Sequence, residues 1–294
     1  MRNFVQEISE YARKQQPEFI VIPQNGVQLV SDNGKWDGKP DLNYLNAIDG
    51  LGQESLYYGS NEDDIKTPQD LSGFLEFYLD IGKEAGKTIL VTDYTSTPSR
   101  MDSSYNFNEE KGYISFAADD RDLTTIPTYP EIIQDENSDP VKKLSDAENF
   151  LYLLNPEEFS SKEDFLNSIA ETNYGVVIMD AFYFGMLLTK QELMNIKKKP
   201  DGSERLLISY MSIGEAEDYR YYWNEDWAPN NPEWIVEENP RWKGNYKVKY
   251  WEKGWKTYIY GNPESYLQKI INVGFDGVYL DIIDGFYYFE QRKN

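Results

Sequence analysis

The chain has 294 residues, 40% hydrophobic and 27% charged, at a mean hydropathy of -0.68, which places it with water-soluble folded proteins; no stretch approaches the roughly 20 apolar residues that would span a bilayer. Lys and Arg number 29 against 51 Asp and Glu, and the net charge of -22 argues against nucleic acid or an anionic membrane surface as partner. There is no His and no Cys. A Ser-His-Asp triad, a Cys nucleophile, a His-ligated metal and a disulfide are therefore excluded, and any proton chemistry must use carboxylates, Tyr or Lys.

In chain order, the first residues predict an amphipathic helix with Phe4, Val5, Ile8, Tyr11 and Ala12 on one stripe. Met1 to Arg13 intersperses charges and lacks the apolar run of a signal peptide. The expected location is cytoplasmic, or extracellular or in the cell envelope if an export signal lies outside the chain. Strands are predicted at 19–25 and 47–52. Thr67-Pro68 opens a helix with Leu71, Phe74, Leu75, Tyr78 and Leu79 on one face, ending at Gly86.

Further strands are predicted at 88–94, 113–118, 149–154, 175–182, 206–215 and 277–284, several of them continuous apolar runs such as Val176 to Met179. Between them, Ser161 with Asp164 and Thr189 with Glu192 carry helix-start signatures, and Asn262-Pro263 opens a helix that stops at Gly274. Lys197 to Lys199 reads as a solvated helix end. Two connections, 119–148 and 216–260, are long and aperiodic.

Eight strands alternating with helices predict a (β/α)8 TIM barrel occupying 1–294 as a single domain, a doubly wound open sheet being the alternative. Closure requires the last strand to pair with the first, and the long loops are expected at the catalytic face. Ligands of such folds bind beyond the carboxyl ends of the strands. The residues there are mostly acidic: Asp93 beside Tyr94, Asp119 and Asp120, Asp180, Glu215, and Asp281 with Asp284; the first strand ends in Gln24-Asn25. Convergent carboxylates force one another's proton affinities apart, which suits glycosidase chemistry without His or metal. Six of the seven Trp lie between Trp223 and Trp255, and Tyr221, Tyr222 and Trp223, close after Glu215, are the better candidates for stacking on sugar; Trp251, Trp255, Tyr258 and Tyr260 read as packing.

Two runs, Ser209 to Glu217 (SYMSIGEAE) and Gly274 to Asp281 (GFDGVYLD), resemble the signature of glycoside hydrolase family 114, the endo-α-1,4-polygalactosaminidase-like barrels, and the likeness extends through 19–26, 90–95 and 177–182. The resemblance implies that the chain is circularly permuted, because the strand at 19–25 follows the Asp281 strand in the family. It also implies that a family Glu is replaced here by Gln24. The implied activity is hydrolysis of an α-linked amino-sugar polysaccharide, with Asp281 as nucleophile or base, Glu215 as acid and Asp180 as a third catalytic carboxylate. Asp93, Tyr94, Gln24, Asn25, Tyr210, Asp284, Tyr222 and Trp223 would hold the sugar. No cofactor or metal is expected, nor nucleic acid or membrane insertion, and the chain is expected to be a monomer. The alternative is a non-catalytic carbohydrate-binding pseudoenzyme, which Gln24 favours.

Overall fold

The computed structural model describes residues 1–292 as a mixed α/β protein built on parallel strands. Eight strands carry the architecture: β1 (Ile20–Pro23), β2 (Gly50–Glu54), β3 (Thr88–Tyr94), β4 (Ile114–Ala118), β5 (Phe150–Tyr152), β6 (Val176–Asp180), β7 (Leu206–Ser212) and β8 (Gly277–Asp281). They form two parallel sheets, one in the order β1-β8-β7-β6-β5 and one in the order β2-β3-β4. The last strand does pair with the first, Ile22 opposite Tyr279. Nearly every strand residue is buried, as strands covered by helices require.

The helices follow their sequence signals. Helix α1 (Arg2–Gln15) buries Phe4, Val5, Ile8 and Ala12. Helices α2 (Leu42–Ala47), α3 (Gln69–Glu84), α4 (Pro98–Lys111) and α5 (Lys162–Ala170) lie between strands. Thr189 and Glu192 form the reciprocal cap of α6 (Lys190–Ile196). Helices α7 (Lys253–Ile259) and α8 (Tyr266–Val273) precede β8, and Gly274, at φ 101, ends α8 in the left-handed conformation that favours glycine.

Several expectations need correction. Ala47 closes α2 rather than opening a strand, so β2 reaches two residues further than the predicted end at Gly52. Leu71 and Phe74 face solvent, leaving Tyr78 and Leu79 as the buried stripe of α3. The helix opened at Asn262-Pro263 begins at Tyr266. Lys199 is no solvated helix end: it is 3% exposed and donates to the carbonyls of Asn137 and Asp139. The connection 216–260 is not irregular, for it contains a three-stranded antiparallel sheet of Glu215–Glu217, Asn245–Val248 and Ile235–Glu238.

Strand alternation decides what reaches the interior. Tyr279 and Asp281 of β8 stand beside Tyr210 and Ser212 of β7, and Asp180 of β6 stands beside Tyr210. Tyr152 donates to Gln24 Oε1 at 2.9 Å and meets Tyr279 edge-on at 5.2 Å between ring centroids. Gly52 makes room for this layer, since a Cβ there would lie 2.1 Å from the Tyr279 hydroxyl.

Candidate active site

The polar groups converge where β8, β1 and β2 end, and each exit is an abrupt turn. Ile282, Asn25 and Ser55 have φ of 58°, 61° and 56°. Each follows an inward polar residue: Asp281, Gln24 and Glu54. A β-branched residue such as Ile282 in the left-handed region is strained, and strain of this kind clusters at functional sites. The turns aim side chains. The Ile282 amide donates back to Asp281 Oδ1 at 2.7 Å, and the Asn25 carboxamide donates to Glu54 Oε2 at 2.8 Å while its oxygen accepts from the Glu54 amide at 3.1 Å.

Glu54 is the residue that sequence reasoning missed. It is half-buried at the end of β2, and its Oε1 accepts a hydrogen bond from the Tyr94 hydroxyl. Burial, then the Glu54 carboxylate, push the Tyr94 phenol well above its usual range, so it stays a donor. Asp281 accepts from the Tyr210 hydroxyl at 2.8 Å. Burial first, and the charge of Glu54 second, push Asp281 well above the usual carboxylate range, against the pull of the Ile282 amide and the Tyr210 hydroxyl. Asp284 is exposed at the start of the segment after β8, and desolvation followed by the charge of Glu54 pushes it up to about 6. Glu54, Asp281 and Asp284 therefore share one electrostatic site, with Tyr94, Asn25 and Tyr210 as its donors. The missed signal was the rule applied elsewhere, an acid at the end of a strand, obscured because β2 was ended at Gly52.

The structure assigns the remaining predicted site residues to other surroundings. Asp180 faces the interior beside Tyr210 but is engaged by Arg220, whose guanidinium bridges Asp180 Oδ2 and Glu217 Oε2 at 2.6 Å each. Arg220 and Glu217 are buried, and Arg220 lies near the faces of Phe182, Tyr219 and Tyr266. Burial still pushes Asp180 upward. Glu215 is 2% exposed, held by Asn239 at 2.8 Å, with Oε2 lacking a partner; burial raises it. It opens the antiparallel sheet three residues after β7 ends, within reach of the charge of Asp284, which also raises it.

Asp93 points away from the interior. It is fully buried and accepts from the Tyr57 and Tyr58 amides and the Ser104 hydroxyl, so it pins a loop and α4. Gln24 is 2% exposed and serves the layer below the site through Tyr152. Tyr222 accepts from the Glu217 amide, and Trp223 packs on Trp227 and Tyr246, so both consolidate the aromatic cluster that also holds Trp234, Trp255 and Tyr258. Tyr221 stacks on Phe182, centroids 5.3 Å apart. Among the described residues, no group of three or more acidic side chains has the geometry to hold a metal ion.

Residues 170–294 match the family model of glycoside-hydrolase family GH114. This stretch holds β6, β7 and β8 with Asp180 and Asp281, while Glu54 lies outside it. The chain is 37% identical over 159 residues to an uncharacterised protein of Methanocaldococcus jannaschii, the alignment covering 53% of this chain and 43% of that protein. It is 52% identical over 85 residues to an uncharacterised protein of Thermotoga maritima, covering 29% of the chain and 25% of that protein. A third, from Deinococcus radiodurans, is 34% identical over 127 residues, covering 43% and 39%. The matched segments thus span less than half of each of these relatives. No helix among the described residues is long and apolar enough to cross a membrane.

Proposed function

We propose that this chain, GH114-like over residues 170–294, is a glycosidase that cleaves an α-linked amino-sugar polysaccharide, with Asp281 and Glu54 as its catalytic pair. One observation carries the reading: a half-buried acid at the end of β8 whose proton affinity is raised by desolvation and by a second acid at the end of β2. Two carboxylates flanking one bond, one protonated and one ionised, are the requirement of glycoside hydrolysis.

The roles follow from the hydrogen bonds. Glu54 accepts from Asn25 and Tyr94, which fix the position of its carboxyl group. Asp281, favoured in its protonated form, gives its proton to the glycosidic oxygen as the bond to the leaving sugar breaks. Glu54 then faces the positive charge that develops on the remaining sugar, as nucleophile or as base toward water. Glu54 thereby supplies the carboxylate that Gln24 cannot, and Glu215 and Asp180 become supporting residues. Tyr210 and Asp284 position and tune Asp281. The net charge of -22 suits a cationic, partly de-N-acetylated chain.

The same reading includes a circularly permuted (β/α)8 barrel formed by the chain as one domain. Its support is that Gln24 bridges to Gly52, joining β1 to β2, while Phe116 of β4 packs on Phe150 of β5 at 5.7 Å between centroids. The two sheets then follow one cyclic order.

The test is mass-spectrometric product analysis of α-1,4-linked galactosamine and N-acetylgalactosamine oligomers incubated with the wild type, Asp281→Asn and Glu54→Gln. Cleavage by the wild type, reduced at least about a thousandfold in each variant, is the expected result. Binding without cleavage by the wild type would instead make the chain a carbohydrate-binding pseudoenzyme.

A further inference from the structure

A cleft of about 870 Å³ lies on the flank of the face where the strands end, within the range of about 300–1,000 Å³ typical of ligand sites. Its walls come from the start of α1, the turns after β1, the segment after β8 and the connection before α7. Rings and polar groups share its lining, among them Tyr250, Trp251 and Tyr287 with Gln28, Asn33 and Asp32. Trp251 is 46% exposed, an unusual state for the largest apolar side chain, and is held upright by edge-on contacts with Tyr250 and Phe289 at 5.0 and 4.7 Å. Gln28 Oε1 is buried at the wall with no hydrogen-bond partner. A fixed indole with solvent access, beside an acceptor still lacking its donor, matches a sugar ring: an apolar face to stack and hydroxyls to donate. The wall holds four carboxylates against three cationic side chains, with Arg2 and Lys256 already paired to Asp41 and Glu7, which disfavours an anionic ligand.

The cleft is close to Asp284, whose charge raises Asp281. Tyr287 in its wall follows Asp284 by three residues, so their Cα atoms lie at most about 11 Å apart. The Tyr287 phenol is pushed up to about 12, by burial and then by the charge of Asp284. We propose that this cleft binds the distal part of the polysaccharide chain whose scissile bond lies at Glu54 and Asp281, with Trp251 as its stacking platform and Gln28 as a hydroxyl acceptor. This rests on the glycosidase reading and adds to it that the substrate is a long chain gripped away from the point of cleavage.

The experiment is calorimetric titration of partly N-acetylated α-1,4-linked galactosamine oligomers, from trimer to octamer, into the Asp281→Asn chain and into the same chain carrying Trp251→Ala or Gln28→Ala, with wild-type cleavage of the same oligomers run alongside. Trp251 is exposed enough that its removal leaves the core intact, and thermal melts verify this. The expected result is that the octamer binds more than tenfold tighter than the trimer, and that Trp251→Ala cuts this advantage about tenfold. An octamer-to-trimer ratio unchanged in both variants, with wild-type cleavage intact, overturns the cleft alone. Neither cleavage nor binding of any oligomer overturns the glycosidase reading and the cleft with it.

Discussion

Tyr210 donates its hydroxyl to Asp281 Oδ2 across 2.8 Å from the neighbouring strand, and with the Ile282 amide it opposes the upward push on that acid. Removing a donor to an ionised carboxylate favours the protonated form. Tyr210→Phe is therefore expected to move the alkaline limb of the kcat/KM profile upward by about one pH unit. An unmoved limb would show that Asp281 is not the acid titrating there.

Asp284 acts on the same acid with opposite sign, because its negative charge raises Asp281. Asp284→Asn should move the alkaline limb downward. It has a second consequence for stability. Asp284 goes from an ordinary 3.8 to about 6 on folding, so its favourable neutral form contributes fully below 3.8 and is lost as pH rises through about 6. Thermal melts across that window should show the wild type losing stability relative to Asp284→Asn.

Arg220 is caged between two carboxylates with nowhere to go. Replacing it by Met would leave Asp180 and Glu217 buried without their counter-charge, at a cost of about 3–5 kcal/mol in urea unfolding. Adding Asp180→Asn and Glu217→Gln to the Arg220→Met chain should recover much of the loss. No recovery would mean that Arg220 stabilises through its contacts with Phe182, Tyr219 and Tyr266 instead.

Asp93 should behave as a structural residue. Asp93→Ala orphans two backbone amides and the Ser104 hydroxyl, and should cost about 3 kcal/mol in chemical denaturation. Its folded fraction should retain the wild-type affinity for oligosaccharide, whereas a direct sugar contact would show as weakened binding.

Much of the architecture was legible because its signals are local. The span of β3, the capping box of Thr189 with Glu192 and the stripe of α1 follow from periodicity and capping chemistry, and the structure repeats them. The β8 to β1 pairing followed from topology. At the candidate site, Asp281, Tyr94, Asn25 and Asp284 lie together as their strand-end positions suggested, and Tyr210, singled out by the motif that contains it, joins them. The failures turn on one or two residues of register. Asp93 and Tyr94 are neighbours, yet alternation sends one to the helix layer and the other to Glu54. Ending β2 at Gly52 hid Glu54, and the meeting of Arg220 with Asp180, 40 residues away in sequence, could not be read because it arises only through tertiary packing.

The geometry of Glu54 and Asp281 also fixes when the two acids can meet. Glu54 precedes Asp281 in the chain, and β1, which stands between their strands, finds its β8 neighbour only after synthesis has passed residue 281. A growing chain on the ribosome therefore carries Glu54 before its Asp281 neighbour exists. Asp281 meets the charge of Glu54 only once β8 has paired with β1, so the upward push on Asp281 doubles as a reporter of that pairing.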